Sequence, residues 1–265
     1  MPIFKKNIFG QYIFVKKLVI RVFGLLIYGR FNWRYKNEIK GAEIFKELQG
    51  KNVLIISNHQ TYFADVSFLL HVIYSSLAGK PNSIRFPGFL SPKKHNIYYV
   101  AAEETMKSGL LPKMLALSGA VTIQRTWRAD GKNVRRKVSK EQTKNIDKAL
   151  EDGWVITFPQ GTTAPFAIGR KGTAIIAKNH EAIVVPVVID GFRRAFDKKG
   201  LRTKKTGTTL SMRVKPPLEI DYSNTVEQIM DQMMEAIEQS PDYNYMDEVV
   251  KKDSLTAKAE SEPSQ

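Results

Sequence analysis

Six short strand-like segments alternate with stretches of helical spacing, and this alternation limits the possible folds more than any other feature of the chain. Residues 53–57, 97–101, 120–123, 154–158 and 183–189 are rich in β-branched and aromatic side chains and have the length of buried strands, and residues 210–214 read as a sixth. Residues 65–77 put Phe68, Leu69, Val72 and Ile73 on one helical face, and 103–117 read as helix interrupted near Gly109 and Pro112. Ser139 and Gln142 form a capping box for a helix over 140–152, with Gly153 as its stop. Further helices are predicted over 172–180 and 225–239. Such alternation predicts an α/β fold, a mostly parallel sheet flanked by helices on both faces. Pro186 lies inside the fifth run and is expected at a sheet edge or bulge, because it cannot donate to a ladder.

No Gly/Ser linker or break in composition divides the middle of the chain. The reading is one domain over 41–245, preceded by a helical segment over 1–40 and followed by a polar tail over 246–265 that is expected to be disordered. Residues 13–28 are apolar but broken by Lys16, Lys17 and Arg21, so no charge-free run approaches the roughly 20 residues needed to span a bilayer. No small-residue cleavage site follows. Phe31, Trp33 and Tyr35 then mix with Arg30, Arg34 and Lys36. This suits an amphipathic helix lying in the membrane interface; the plainer alternative is a helix packed on the domain.

Lys and Arg number 41 against 26 Asp and Glu, a net charge of +15. Such an excess favours an anionic partner: a lipid surface, an acidic carrier protein, a phosphate-bearing cofactor or nucleic acid. Nucleic acid is the remote alternative. The basic loops lack interleaved aromatic platforms, and no helix-turn-helix or zinc pattern appears. With no cysteine, disulfides, thiolate metal sites and cysteine nucleophiles are excluded.

In parallel α/β sheets, functional groups gather beyond the carboxyl ends of the strands. Four segments fall there: 57–65, 119–125, 158–163 and 184–187. His59 is the only histidine at a strand-to-helix turn with a carboxylate, Asp65, close downstream. A neutral imidazole can take a proton from a hydroxyl, and a carboxylate on its other nitrogen sets the tautomer and stabilises the imidazolium. No serine is placed as a nucleophile, so the simplest scheme is direct attack by an activated substrate hydroxyl. By spacing alone, most His/Asp pairs of this kind are structural. His71 reads as a packing residue, His95 lies in a basic loop, and His180 ends a helix, where a cation is favourable. No set of residues has metal-ligand spacing, so no metal is expected.

In order, Asn58-His59…Asp65, Gly119…Ile123-Gln124-Arg125, Phe158-Pro159-Gln160-Gly161-Thr162 and Val185-Pro186 resemble the four blocks of the glycerolipid acyltransferase family typified by 1-acylglycerol-3-phosphate O-acyltransferase. Gly169-Arg170-Lys171-Gly172 also resembles that family's Lys-Gly segment, and the likeness runs from about residue 51 to 220. It implies O-acyl transfer from acyl-CoA or acyl-carrier protein, as co-substrate rather than bound cofactor, to a lysophospholipid hydroxyl in phospholipid biosynthesis. The expected acceptor is 1-acylglycerol-3-phosphate and the product phosphatidic acid. It also implies His59 as general base, Asp65 as its orienting carboxylate, and Arg125 for the acceptor phosphate. Gln160, Gly161, Thr162 and Lys171 are expected to shape the acceptor site, with backbone donors near Gly161 facing the oxyanion. Taken alone, Arg125 has the alternative reading of a surface salt-bridge residue. The expected location is peripheral or monotopic on the cytoplasmic face of a membrane, with an anionic membrane surface as partner and no nucleic acid.

Two departures from the family pattern stand out. The gap between His59 and Asp65 is five residues instead of four. In a helix, one extra residue would turn Asp65 by about 100°, so pairing requires a non-helical turn near residues 60–63. The family's third block commonly reads Phe-Pro-Glu-Gly-Thr-Arg, where this chain has Gln160 for the acid and Thr163 for the arginine. The loss of both charges favours, as an alternative acceptor, a lyso-aminolipid or another hydroxylated lipid.

Overall fold

The computed structural model describes residues 5–91, 96–124, 128–129, 132–133 and 140–244. The elements in chain order are α1 (Ile13–Arg34), β1 (Lys36–Lys40), α2 (Ile44–Glu47), β2 (Val53–Ser57), α3 (Ala64–Leu77), a 3-10 turn at Gly88–Leu90, β3 (Ile97–Ala102), α4 (Glu103–Lys107), α5 (Leu110–Ala116), β4 (Ala120–Ile123), the short ribbon β5 (Arg128–Ala129) and β6 (Lys132–Asn133), α6 (Lys140–Asp152), β7 (Trp154–Thr157), α7 (Lys171–His180), β8 (Ile183–Asp190), α8 (Phe192–Ala195), β9 (Thr209–Val214) and α9 (Val226–Ala236). Seven strands make one sheet in the order β1-β9-β8-β2-β7-β3-β4. Every neighbouring pair is parallel except β8 and β9.

The runs of β-branched residues are unbroken because the inner strands are covered on both faces. Along β2, Val53 and Ile55 point to the face packed by α2, α3 and α8, while Leu54 and Ile56 point to the face packed by α6, α7 and α9. All four are fully buried. Complete burial of such side chains contributes about 1.5–3 kcal/mol each, so this central strand anchors both halves of the core. The interrupted helix of 103–117 is two helices. Gly109 separates them, and Pro112 sits in the first turn of α5, where its missing N–H has no helical partner to lose. Thr225 caps α9 through a capping box with Gln228.

Two sequence readings need amendment. Pro186 is on an interior strand, paired with Ile56 of β2. Its carbonyl accepts from Lys215 N at 2.9 Å, just past the end of β9 at Val214. The N–H and C=O of a strand residue point the same way, so the missing donor faces a flank where the β9 ladder has run out. The second amendment is β1, which the pattern did not reveal. Its Lys-Asn-Glu-Ile-Lys sequence buries only Ile39, because a charged, short strand suits the sheet edge.

Helix α1 inverts the usual arrangement of polar and apolar side chains. Phe14, Leu18, Val22, Leu25, Leu26 and Trp33 are exposed, along one side of the helix. The charged Lys16 is buried instead, its Nζ donating to Ile97 O at 3.0 Å and lying 3.8 Å from the Tyr98 ring centroid. Burial pushes the Lys16 ammonium down to about 8, opposed by the attraction of Asp152. Among the described residues, no helix is long and apolar enough to cross a membrane.

Candidate active site

His59 leaves the carboxyl end of β2 and Asp65 opens α3. Residues 60–63 between them form a non-helical turn, as pairing across the five-residue gap requires. His59 Nδ1 lies 2.9 Å from Asp65 Oδ2. The same oxygen accepts the backbone N–H groups of Gln60 at 2.5 Å and Thr61 at 2.9 Å, and Asp65 Oδ1 accepts from Thr61 Oγ1 at 2.6 Å. The carboxylate is 1% exposed and the imidazole 13%. Four donors therefore converge on one buried carboxylate, and they replace the water it loses on burial.

Neighbouring elements hold this turn from three sides. Asn58 exchanges two hydrogen bonds with Ile189 at the end of β8: its Nδ2 donates to Ile189 O and its Oδ1 accepts from Ile189 N. Phe158, directly after β7, stacks on the His59 ring with centroids 3.9 Å apart and planes 22° from parallel. Lys198 O and Lys199 O accept the N–H groups of Tyr62 and Phe63 at 3.0 Å. That close approach depends on Gly200 at φ +76°, where a Cβ would lie 2.6 Å from Ala64 N and 2.8 Å from Thr61 Oγ1. Asn58, Thr61 and Phe158 lie inside the quoted blocks, but only their contacts assign them these supporting roles.

With Nδ1 held by Asp65, Nε2 is the ring nitrogen left to meet a substrate. His59 forms part of the wall of a cavity of about 430 Å³. The rest of that wall is largely apolar and includes Val66, Leu70, Met106, Leu115, Ile146 and Ile175. Tyr99 also lines it, its hydroxyl pushed up to about 12 by burial, with a hydrogen bond to Ser118 acting the other way. Tyr99 Oη donates to Leu115 O at 2.7 Å and is a neutral wall group.

The remaining sequence-selected residues are scattered about this centre. Gly161 lines the cavity, but its N–H donates to Phe158 O at 2.9 Å and so does not serve an oxyanion. Thr162 Oγ1 accepts from Ala164 N within its own turn. Gln160 is 1% exposed, and its Nε2 donates to Ala167 O at 3.1 Å and Gln239 Oε1 at 3.2 Å, which directs the amide into the protein. Facing a carbonyl oxygen and an amide oxygen, this position suits an amide donor and would be poor for a carboxylate. Lys171 lines the cavity rim and pairs with Glu227 on α9. Arg125, His95 and most of the basic loop over 126–137 lie outside the described residues. His71 packs between Phe31 and Phe89, with Nδ1 2.7 Å from Ser67 O, and burial holds its proton affinity down. His180 Nε2 is 2.8 Å from Asp147 Oδ1, joining α7 to α6.

A mostly parallel sheet whose central strand delivers a carboxylate-backed histidine to an apolar cavity is the setting of the class to which the chain is assigned by sequence. Residues 36–190, more than half of the chain, match the Acyltransferase family, and the chain belongs to it. It is an acyltransferase. The fold is similar to that of the 1-acyl-sn-glycerophosphate (LPA) acyltransferase PlsC from Thermotoga maritima, at 18% identity and a TM-score of 0.50, over 95% of this chain and 82% of that one. No curated protein matches the chain.

Proposed function

We propose that this acyltransferase moves a fatty acyl group from acyl-CoA or acyl-carrier protein to the free hydroxyl of 1-acylglycerol-3-phosphate. The observation that carries the reading is the His59–Asp65 pair opening onto a largely apolar cavity, a base beside a place for an alkyl chain. His59 Nε2 takes the hydroxyl proton as the oxygen attacks the thioester carbonyl, and Asp65 stabilises the imidazolium that forms. The tetrahedral intermediate collapses with cleavage of the C–S bond. The proton passes from His59 to the departing thiol, which restores the neutral base. The likeness in fold to a 1-acyl-sn-glycerophosphate acyltransferase supports this acceptor.

A second acceptor, a lyso-aminolipid or other hydroxylated lipid, is favoured by one observation. Gln160 is turned inward and Thr163 is uncharged, so the third block offers an acceptor neither an acid nor a cation. In both versions the protein works as a peripheral protein on an anionic membrane surface, on its cytoplasmic face. The apolar stripe of α1 would enter the interface while the basic residues meet lipid headgroups. The test is acyl transfer by purified protein, with labelled acyl-CoA and acyl-carrier protein offered against a panel of lyso-lipids. His59→Ala is expected to lose about 10²–10⁴ in rate. Full activity in that variant would overturn the mechanism.

A further inference from the structure

We infer that Arg193 receives the anionic headgroup of the acceptor lipid. This rests on the acyl-transfer reading above and names the residue that selects its acceptor. In the sheet, β2 lies between β8 and β7, and His59 leaves the carboxyl end of β2. Arg193 stands three residues beyond the end of β8, in α8. Its Nη2 donates to Thr163 O at 2.6 Å, and Thr163 belongs to the loop that follows β7. A side chain that starts on the β8 flank and ends on the β7 flank crosses the end of the strand between them. Adjacent strands are about 4.8 Å apart, so crossing two spacings takes an extended arginine together with its 2.6 Å hydrogen bond to Thr163 O. The guanidinium therefore lies against the turn after β2, outside the wall of the cavity that His59 faces. The backbone of Arg193 is held to the same segment, its N–H donating to Gln60 Oε1 at 3.1 Å.

Its charge is also available to a ligand. A guanidinium has five N–H donors in a planar fork, and the bond to Thr163 O occupies one of them with a neutral acceptor. Among the described residues, no carboxylate pairs with Arg193. Nearby cations differ: Arg194 is paired with Asp190 and Lys171 with Glu227. Lys204 Nζ donates to Arg193 O at 3.3 Å, which brings a second positive charge beside α8. An exposed guanidinium anchored at one corner, next to Gln60 and the uncharged Thr163, suits a phosphate or carboxylate held by the fork while the lipid hydroxyl reaches His59 from the cavity mouth.

The experiment compares Arg193→Gln and Arg193→Lys with the wild-type full-length protein, in steady-state kinetics on mixed micelles. One arm uses a phosphate-headed lyso-lipid and the other a carboxylate-headed hydroxylated lipid. The better acceptor shows which headgroup the site takes. For that acceptor, Arg193→Gln is expected to raise KM about 10- to 100-fold, with kcat changed only a few-fold and the KM for acyl-CoA unmoved. Arg193→Lys is expected to recover part of the loss. If Arg193 only ties the loop after β7 to α8, the glutamine variant would lower kcat, raise both KM values together and melt earlier; that result overturns the inference. An unchanged acceptor KM in Arg193→Gln also overturns it, and leaves the acyl-transfer reading standing. A wild-type protein that transfers acyl groups to neither acceptor overturns both.

Discussion

Replacing Asp65 by asparagine tests whether the pair is catalytic or only holds the turn. Asp65 Oδ2 accepts three N–H donors and Oδ1 accepts one hydroxyl. An asparagine can put its carbonyl oxygen at the Oδ2 position and keep all three N–H bonds. Its amide then meets Thr61 Oγ1, and a hydroxyl can accept as well as donate. What disappears is the charge. A hydrogen bond to a charged acceptor contributes about 1.5–3 kcal/mol and a neutral one about 0.5–1.5. Since these terms are shared on one oxygen, the loss should total about 1–3 kcal/mol, a fall in Tm of roughly 2–12 °C for a domain of this size. Asp65→Ala would instead strand three buried donors at about 1–3 kcal/mol each, comparable with the whole stability of a domain. The asparagine variant is therefore the informative one. It should fold, bind vesicles like wild type, and lose about 10²–10⁴ in kcat because no anion faces the developing imidazolium. The assay is turnover of labelled acyl-CoA beside a thermal melt. Wild-type kcat in a folded Asp65→Asn protein would refute the role of the carboxylate. A melt that collapses as in the alanine variant would show that the turn needs the charge itself.

Two further tests concern α1. Leu25 and Leu26 are 54% and 69% exposed. Changing both to serine should weaken binding to anionic vesicles by at least about 10-fold, measured by co-sedimentation, because each leucine withheld from lipid forgoes more than about 1 kcal/mol. Turnover of detergent-dispersed acceptor should be retained, and unchanged vesicle binding would rule out the stripe as the lipid contact. Lys16 is depressed to about 8 from 10.5, so between those values the unfolded chain holds a proton that the folded one has released. Its stability cost is full below pH 8 and fades as pH rises to 10.5. Lys16→Met carries no such cost. Its stability advantage over wild type, read from urea melts, should shrink by up to about 3 kcal/mol across that window. A difference that stays constant from pH 7 to 10.5 would show that burial does not depress this lysine.

The α/β architecture and the position of His59 at a strand end could be read from the sequence because both depend on local order. Continuous β-branched runs are what a strand buried on both faces requires, and β2, β3, β4, β7 and β8 fall where the runs stand. The same holds for His59, which follows such a run directly. Strand β1 was not legible, because an edge strand buries one side chain in five and leaves no periodic signal. Nor could sequence show that the five-residue gap closes. That depended on the loop at Gly200 lying against residues 61–64 and on two backbone N–H groups joining His59 at one carboxylate. Gln160, chosen by motif position, proved to face the interior, whereas Arg193, outside the motif, crosses the end of β2. Which side chains meet there is set by the strand order β8-β2-β7, a property of the folded sheet that neighbours in sequence do not record.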